Sequence, residues 1–191
     1  MRKGLCMVGG PRLLVFTVLL VTLCALVFHI GQATAWNKQP TLSAVASVFA
    51  MRPVNVRCYN STEDGSPALE RAWGYVKTPL WRARYTAIDG RLCDAALTIN
   101  DPSIDRFYRA LGVLVLIHES YHLRKWGAAG NEAKVECQAI RHWKVGARLL
   151  GATESTLEDL WPMALAQHAE ITRIVEYDDP SCRVPPLVDF P

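Results

Sequence analysis

Residues 104–123 read IDRFYRALGVLVLIHESYHL, and this stretch organises the chain. Its apolar residues recur at helical spacing and become almost continuous just before His118. Upstream, Asp101 and Pro102 have the form of a helix start, with the aspartate as N-cap and the proline in the first turn. We therefore expect a long helix that begins near Pro102 and is buried over most of its surface.

The last turn of this helix carries two imidazoles and one carboxylate. His118 and His122 are four residues apart, so a helix places them on one face, and Glu119 follows the first of them directly. Two neutral imidazoles on one face can bind a single Zn²⁺, and the adjacent carboxylate can act as a base toward a water molecule at the metal. A closed structural zinc site has no use for such a base. The pattern therefore predicts a hydrolytic zinc site.

A second helix is expected to supply the remaining ligand. Residues 126–130 break the first helix, and a new one begins at Asn131 and runs to about Leu150. Glu132 and Glu136 are four residues apart and share a face of this second helix. A short turn between two antiparallel helices would bring that face over the two histidines.

This helix pair resembles the gluzincin zinc metallopeptidases, in which an HExxH helix is followed by a helix with a glutamate ligand. The resemblance implies His118 and His122 as zinc ligands, Glu119 as the general base and Glu132 as the third ligand. Glu136 stands where the family usually has Asp, and there it would orient a ligand imidazole by accepting its free N–H. Because both positions are Glu, either could bind the metal, and we favour Glu132.

Four further residues are candidates for stabilising charge on the substrate oxygen or on the leaving group. We favour His168 as an additional catalytic residue, ahead of His142, Tyr121 and Tyr177. No spacing rule ties any of them to the metal ligands, so a packing or surface role is the alternative for each.

The segment before the long helix has the pattern of a small sheet. Val54–Tyr59 alternates in polarity, and residues 74–76 and 83–87 are short runs of strand-forming residues. We predict an α+β, zincin-like domain in which a small antiparallel sheet is followed by three helices, the third running from about residue 153 to 177. Residues 95–99 are predicted to be the strand that lies along the cleft and pairs with an extended substrate.

The N-terminal segment has the features of a targeting sequence. Residues 13–30 form an apolar run without a charged residue, and residues 33–35 read Ala-Thr-Ala, a signal peptidase site. The run is also long enough to span a bilayer, so a cleaved signal peptide and a retained transmembrane anchor both stay open. We assign residues 1–35 to this signal or anchor, 36–53 to a linker or stalk, and 54–191 to the zincin-like domain, which is either secreted or held at the cell membrane on its outer side.

The cysteine count agrees with export. Of six cysteines, two belong to the first 35 residues, which leaves an even number for the exported part. Four cysteines allow three pairings. We favour Cys58 with Cys93 and Cys137 with Cys182, and the second pair would tie the chain tail to the helix that carries Glu136.

These features predict hydrolysis of peptide bonds in a peptide or protein substrate outside the cytoplasmic membrane. The formal net charge of +3 gives no indication of a nucleic-acid partner. Three alternatives stay open. They are a non-catalytic extracytoplasmic binding domain stabilised by zinc, a zinc amidase acting on cell-wall peptide, and a membrane-tethered interaction protein whose motif arose by chance.

Overall fold

The computed structural model describes residues 37–59, 73–76, 84–124, 131–174 and 177–182. The predicted targeting run at residues 13–30 lies outside them, as does the predicted helix break at 126–130. Over the described part of the chain, no helix combines the length and the apolar character needed to cross a bilayer.

The described residues form an α+β domain, which confirms the predicted class. Its helices are α1 (Pro40–Ala50), α2 (Gly90–Leu97), α3 (Arg106–His122), α4 (Glu132–Arg141), α5 (Trp143–Leu149) and α6 (Glu154–Ile171). Its strands are β1 (Asn37–Lys38), β2 (Asn55–Tyr59), β3 (Gly74–Val76) and β4 (Tyr85–Asp89). The prediction of three helices after the sheet is wrong, because within the described ranges five helices follow β4 and another precedes β2.

The sheet is mixed, so the prediction of an antiparallel sheet is also wrong. Its strand order is β1-β2-β4-β3, and the two central strands are parallel, with Asn55 opposite Tyr85 and Tyr59 opposite Asp89. The outer strands pair antiparallel, β1 with β2 and β3 with β4. After β2, the next strand in the chain, β3, lies at the edge of the sheet, and β4 fills the position between them. Strand β4 is antiparallel to β3 and therefore runs in the same direction as β2.

Helix α2 and the turn that follows it occupy residues 95–99, which were predicted to be the cleft strand. Asp89, the last residue of β4, caps this helix, since its Oδ1 accepts a hydrogen bond from the Arg91 N–H at 2.9 Å. Leu92 and Ala96 are buried one turn apart and direct the helix onto the core. The Asp89 cap and the burial of these two residues against the core make this segment helical, and the edge strand next to α3 is β3.

Residues 36–53, predicted to be a linker or stalk, belong instead to the folded domain from residue 37 onward. Strand β1 pairs with β2, and the Ser43 hydroxyl in α1 accepts a hydrogen bond from the Val56 N–H at 2.8 Å. Helix α1 also buries Leu42, Val45 and Phe49 in the core. Burial of these apolar side chains is what turns the segment into a structural element.

Helix α3 is the centre of the domain, and all residues from 109 to 117 are buried. It begins at Arg106 rather than near Pro102, because Asp105 provides the N-cap by accepting a hydrogen bond from the Phe107 N–H. A Cβ atom at Gly112 would lie 2.5 Å from the carbonyl oxygen of Leu92 in α2. Gly112 therefore permits the close packing of α2 on α3.

The predicted second helix is divided in two. Asn131 caps its start, since its Oδ1 accepts a hydrogen bond from the Lys134 N–H at 2.8 Å. His142, with φ of −103° and ψ of 6°, separates α4 from α5. Within the final helix, Thr153 is the N-cap, and Pro162 lies in the interior of α6.

Both predicted disulfides are confirmed. Cys58 in β2 is bonded to Cys93 in α2, with their Cα atoms 6.1 Å apart. Cys137 in α4 is bonded to Cys182, with their Cα atoms 5.5 Å apart. The second bond attaches the described tail segment 177–182 to the helix that carries Glu132 and Glu136.

Candidate metal centre

Helices α3 and α4 place three ligand atoms at the corners of a nearly equilateral triangle. His118 Nε2 lies 3.1 Å from His122 Nε2 and 3.1 Å from Glu132 Oε2, and His122 Nε2 lies 3.2 Å from Glu132 Oε2. Ligand atoms bound about 2.0–2.1 Å from a tetrahedral zinc ion are separated by about 3.3 Å. The triangle therefore has the size of one face of such a site, and these three residues could hold a metal ion.

Local structure explains how the three side chains meet. The helical repeat of α3 stacks His118 and His122 on one face. The Asn131 cap begins α4 at Glu132, so this carboxylate projects from the first turn of α4. Helix α4 packs against α3, and this packing brings the Glu132 carboxylate to both imidazoles.

Glu136 lies one helical turn beyond Glu132 and contacts the site from the other side of the His118 ring. Its Oε2 accepts a hydrogen bond from His118 Nδ1, and its Oε1 accepts one from His168 Nδ1, both at 2.9 Å. A proton on Nδ1 leaves the lone pair of a neutral His118 on Nε2, directed toward His122 and Glu132. Of the two glutamates considered as ligands, Glu132 therefore contacts the Nε2 atoms of the histidines. Glu136 contacts the opposite nitrogen of His118, Nδ1.

The electrostatics of the metal-free site favour a bound cation. Burial disfavours the charged form of His118, but hydrogen bonds with Glu132 and Glu136 outweigh this and raise its pKa from 6.5 to about 10. Hydrogen bonds with His118 and His122 lower the pKa of Glu132. Electron pairs from two imidazoles and a carboxylate converge on one point, and the directions of these pKa shifts agree with a site that favours a positive charge.

Glu119 is buried on the side of α3 that faces the sheet. Burial raises the pKa of its carboxyl group, and the nearby charges of His118 and His122 act in the opposite direction. Strand β3 lies directly against this side chain. A Cβ atom at Gly74 would be 2.8 Å from Glu119 Cγ and 2.9 Å from Val115 Cγ1, so only glycine allows β3 to approach α3 this closely.

The four other candidate residues take different positions. His168 is buried and contacts Glu136, and it does not belong to the three-residue group. Tyr121 and His142 contact each other, with the hydroxyl 3.1 Å from Nδ1. Tyr177 has its ring centroid 6.0 Å from that of His118. Of the four, Tyr177 is therefore the one whose ring lies beside a candidate ligand.

A cavity of about 530 Å³ adjoins one of the three candidate ligands, His118. His118, Glu119 and Glu136 line its polar end, and the rest of its wall comes from α3, β3, the end of α6 and Tyr177. The sequence analysis named Tyr177 as a candidate and residues 74–76 as a strand, but it placed neither of them beside the metal site. The signals that could have placed them there are the glycine at the start of β3 and the bond from Cys137 to Cys182, which brings the neighbourhood of residue 177 to α4.

Comparisons with protein-family models, with curated proteins and with solved structures gave no match to this chain. The description of the site therefore rests on the geometry of its own residues. The site is a His–His–Glu group whose spacing would fit a tetrahedral metal ion. The buried carboxylate of Glu136 is hydrogen-bonded to its first member, His118, which also lines a cavity.

Proposed function

We propose that this chain is a zinc-dependent metallopeptidase of the gluzincin type, which hydrolyses peptide bonds outside the cytoplasmic membrane. The observation that carries the proposal is the triangle of His118, His122 and half-buried Glu132, together with the buried carboxylate of Glu119, which follows His118 on the same helix. Catalytic zinc sites have three protein ligands and one position left for water or substrate. His118, His122 and Glu132 would be the three protein ligands of such a site.

The donor set supports a transition metal such as zinc over Mg²⁺ and Ca²⁺. Mg²⁺ and Ca²⁺ prefer sites made of oxygen atoms, whereas two imidazoles and one carboxylate suit zinc. The hydrogen bond from His118 Nδ1 to Glu136 adds the outer carboxylate that commonly orients a histidine ligand. When zinc is bound in such a group, it supplies a Lewis acid that makes water acidic near neutral pH.

Glu119 has the properties of the proton carrier in this reaction. Its raised pKa brings the carboxylate closer to the range in which it can both accept and release a proton. In the proposed step, Glu119 takes a proton from the attacking water as the C–O bond forms, and it passes that proton to the leaving nitrogen as the C–N bond breaks. Glu119 is therefore again an ionised carboxylate at the end of the cycle.

Strand β3 is suited to hold an extended substrate. It is an edge strand, and within the described residues its partner is β4 alone. Its first residue, Gly74, lies against Glu119. A peptide that pairs with the outer edge of β3 would pass close to the base, so we assign to β3 the role that was predicted for residues 95–99.

Export is supported by the chemistry of the cysteines. Disulfides such as Cys58–Cys93 and Cys137–Cys182 persist in oxidising compartments and are rare in the cytosol. Together with the apolar run at residues 13–30, they support a domain that is secreted or anchored in the membrane by its N-terminal segment.

The decisive test compares wild-type protein with the Glu119→Gln variant. We expect about one zinc per chain in both proteins by elemental mass spectrometry, because Glu119 is not a ligand in this proposal. Cleavage of a mixed peptide library should fall by roughly a hundredfold or more in the variant, since the proton carrier is lost. Glu158→Gln, which changes an exposed glutamate of α6, is the matched control and should cleave like wild type.

Two results would contradict the proposal. A folded protein that takes up no zinc, even when zinc is supplied, would remove the metal centre. A protein that binds zinc but cleaves no peptide, with or without Glu119, would support the alternative of a binding domain that uses zinc for stability.

A further inference from the structure

We infer that Thr86 of β4 is a positioning residue for Glu119, whose carboxylate it holds beside strand β3 through its buried hydroxyl group. Because Glu119 is the base of the proposed reaction, this inference rests on the proposed function and deepens it. It is carried by the register of the sheet, by the burial of Thr86 and by the hydrogen-bond partners of its hydroxyl group.

The register of the sheet directs the Thr86 side chain toward α3. Strand β3 pairs antiparallel with β4, and Val76, two residues after Gly74, lies opposite Thr86. Side chains of directly opposed residues project from the same face of a sheet, as do those of residues two apart on one strand. A Cβ atom at Gly74 would lie 2.8 Å from Glu119 Cγ and 3.0 Å from Glu119 Oε1. The sheet face that carries Thr86 is therefore the face that Glu119 meets.

Burial makes the two polar side chains depend on each other. Thr86 has 0% of its surface exposed and Glu119 has 6%, so bulk water cannot satisfy either group. Burial raises the pKa of Glu119, and a hydrogen bond with the Thr86 side chain acts in the opposite direction. The Thr86 hydroxyl group is thus a partner of the ionised carboxylate inside the core.

The same hydroxyl group joins Glu119 to the backbone of β3. Thr86 Oγ1 donates a hydrogen bond to the carbonyl oxygen of Tyr75 at 3.0 Å. A threonine hydroxyl group has one proton and two lone pairs, and the proton can rotate about the C–O bond. Thr86 can therefore donate to the Glu119 carboxylate or to the Tyr75 carbonyl group, whichever needs the donor.

This dual capacity suits the two forms of Glu119 in the proposed step. Thr86 can donate a hydrogen bond to the ionised carboxylate. When Glu119 has taken up a proton, the hydroxyl oxygen can accept a hydrogen bond from the carboxylic acid while its own proton returns to the Tyr75 carbonyl group. Thr86 can therefore hold the side chain beside β3 in both forms, which a purely apolar residue cannot do.

The test compares Thr86→Val, which removes the hydroxyl group and keeps a branched side chain suited to a strand, with Thr86→Ser, which keeps the hydroxyl group. We would measure kcat and KM of the zinc-loaded proteins with the library peptide that wild type cleaves fastest. Thr156 in α6 is also buried, and its hydroxyl group donates to Asn100 Oδ1 at 2.8 Å. Thr156→Val is therefore the matched control, and urea unfolding would verify that each variant is folded.

Thr86→Val should lower kcat by about tenfold or more, because the base loses its orientation. Its KM should stay within about twofold of the wild-type value, because a residue without exposed surface does not touch the substrate. Thr86→Ser should restore most of kcat, and Thr156→Val should behave like wild type. Zinc content should be about one per chain in all of these proteins, since neither threonine belongs to the three-residue ligand group.

Three kinetic results would overturn the inference and leave the proposed function intact. One is a Thr86→Val variant with the kcat of wild type. Another is an equal loss in Thr86→Val and Thr86→Ser, which would assign Thr86 to packing alone. The third is a Thr86→Val change that lowers the residual activity of Glu119→Gln by the same factor as in wild type, because the hydroxyl group would then act independently of Glu119.

A stability measurement separates this inference from the proposed reaction. Urea unfolding of chelator-treated wild type, Thr86→Val, Glu119→Leu and the double variant gives the coupling between the two side chains. We expect the coupling to change the unfolding equilibrium constant by about tenfold, as a hydrogen bond to a charged group does. Such coupling in a protein that cleaves nothing would support the contact, and only the hydrolytic proposal would fail. Strictly additive effects would overturn the inference whatever the activity.

Discussion

The carboxylate of Glu136 accepts a hydrogen bond from His118 Nδ1 at 2.9 Å, and only 1% of Glu136 is exposed to solvent. Burial by itself would raise the pKa of this carboxyl group, but hydrogen bonds with His118 and His168 lower it. The ionised carboxylate holds the His118 ring so that its Nε2 lone pair points toward His122 and Glu132. The geometry of the candidate metal site thus depends on a residue that does not belong to the triangle of ligand atoms.

Glu132→Gln and Glu136→Gln are therefore expected to affect zinc binding in different ways. Loss of Glu132 removes a ligand, and the purified variant should contain much less than one zinc per chain. Loss of the Glu136 charge should keep the stoichiometry and weaken zinc affinity by about ten- to a hundredfold, as outer carboxylates do. Zinc content and competition with a chelator would measure the two effects. Reversed results would identify Glu136 as the ligand.

His168→Ala should weaken zinc binding without removing zinc. His168 Nδ1 donates a hydrogen bond to Glu136, so its loss leaves one oxygen of a buried carboxylate without this donor. We expect affinity to fall by roughly tenfold, at the lower end of the range for outer residues. His142→Ala is the control, because His142 contacts Tyr121 instead. If His168→Ala lowers kcat strongly while zinc affinity is unchanged, His168 acts on the substrate and not through Glu136.

Gly74→Ala tests the contact between β3 and the proposed base. The added methyl group would lie 2.8 Å from Glu119 Cγ and 2.9 Å from Val115 Cγ1, and the branched valine cannot move far in the core. Glu119 should be displaced, so peptide cleavage should fall by about ten- to a hundredfold while zinc content stays at one per chain. Activity equal to wild type would show that β3 can shift without disturbing Glu119.

The stability of the metal-free protein should decrease as the pH rises above neutrality. The pKa of His118 is raised from 6.5 to about 10 in the folded protein. The folded state therefore binds this proton more tightly than the unfolded state, and the resulting stabilisation is complete below pH 6.5 and is lost as the pH rises through about 10. Urea unfolding of chelator-treated protein at several pH values would measure this loss.

Glu132 acts at the other end of the pH scale. Its pKa is lowered from 4.5, so its contribution to stability is present above that pH and is lost as the pH falls further. Metal-free His118→Ala protein should show a smaller decrease on the alkaline side, because the pKa of His122 is also raised, despite its burial, by a hydrogen bond with Glu132. Zinc-loaded wild type should lack the decrease because the metal replaces the proton. A flat alkaline profile for metal-free wild type would contradict the assigned proton.

Several of the predictions that rested on local sequence patterns were confirmed, whereas those that concerned the pairing of strands were wrong. The helix that bears His118, the start of the second helix at Asn131 and the α+β class all followed from local spacing and capping residues. The cleft strand and the antiparallel sheet were wrong. Residues 95–99 have too little local signal to separate a short buried helix from a strand, and their conformation depends on how Asp89 caps α2 against the core.

The sequence by itself determined which side chains could meet on one helix. His118 and His122 share a face because the helical repeat brings residues four apart together, and the same rule places Glu132 and Glu136 side by side. Only the tertiary structure decided that Glu132 joins the histidines, that Glu136 lies behind His118, and that β3 and Tyr177 border the site. These contacts join segments far apart in the chain, and their geometry is set by packing of the whole core, on which residue spacing carries no information.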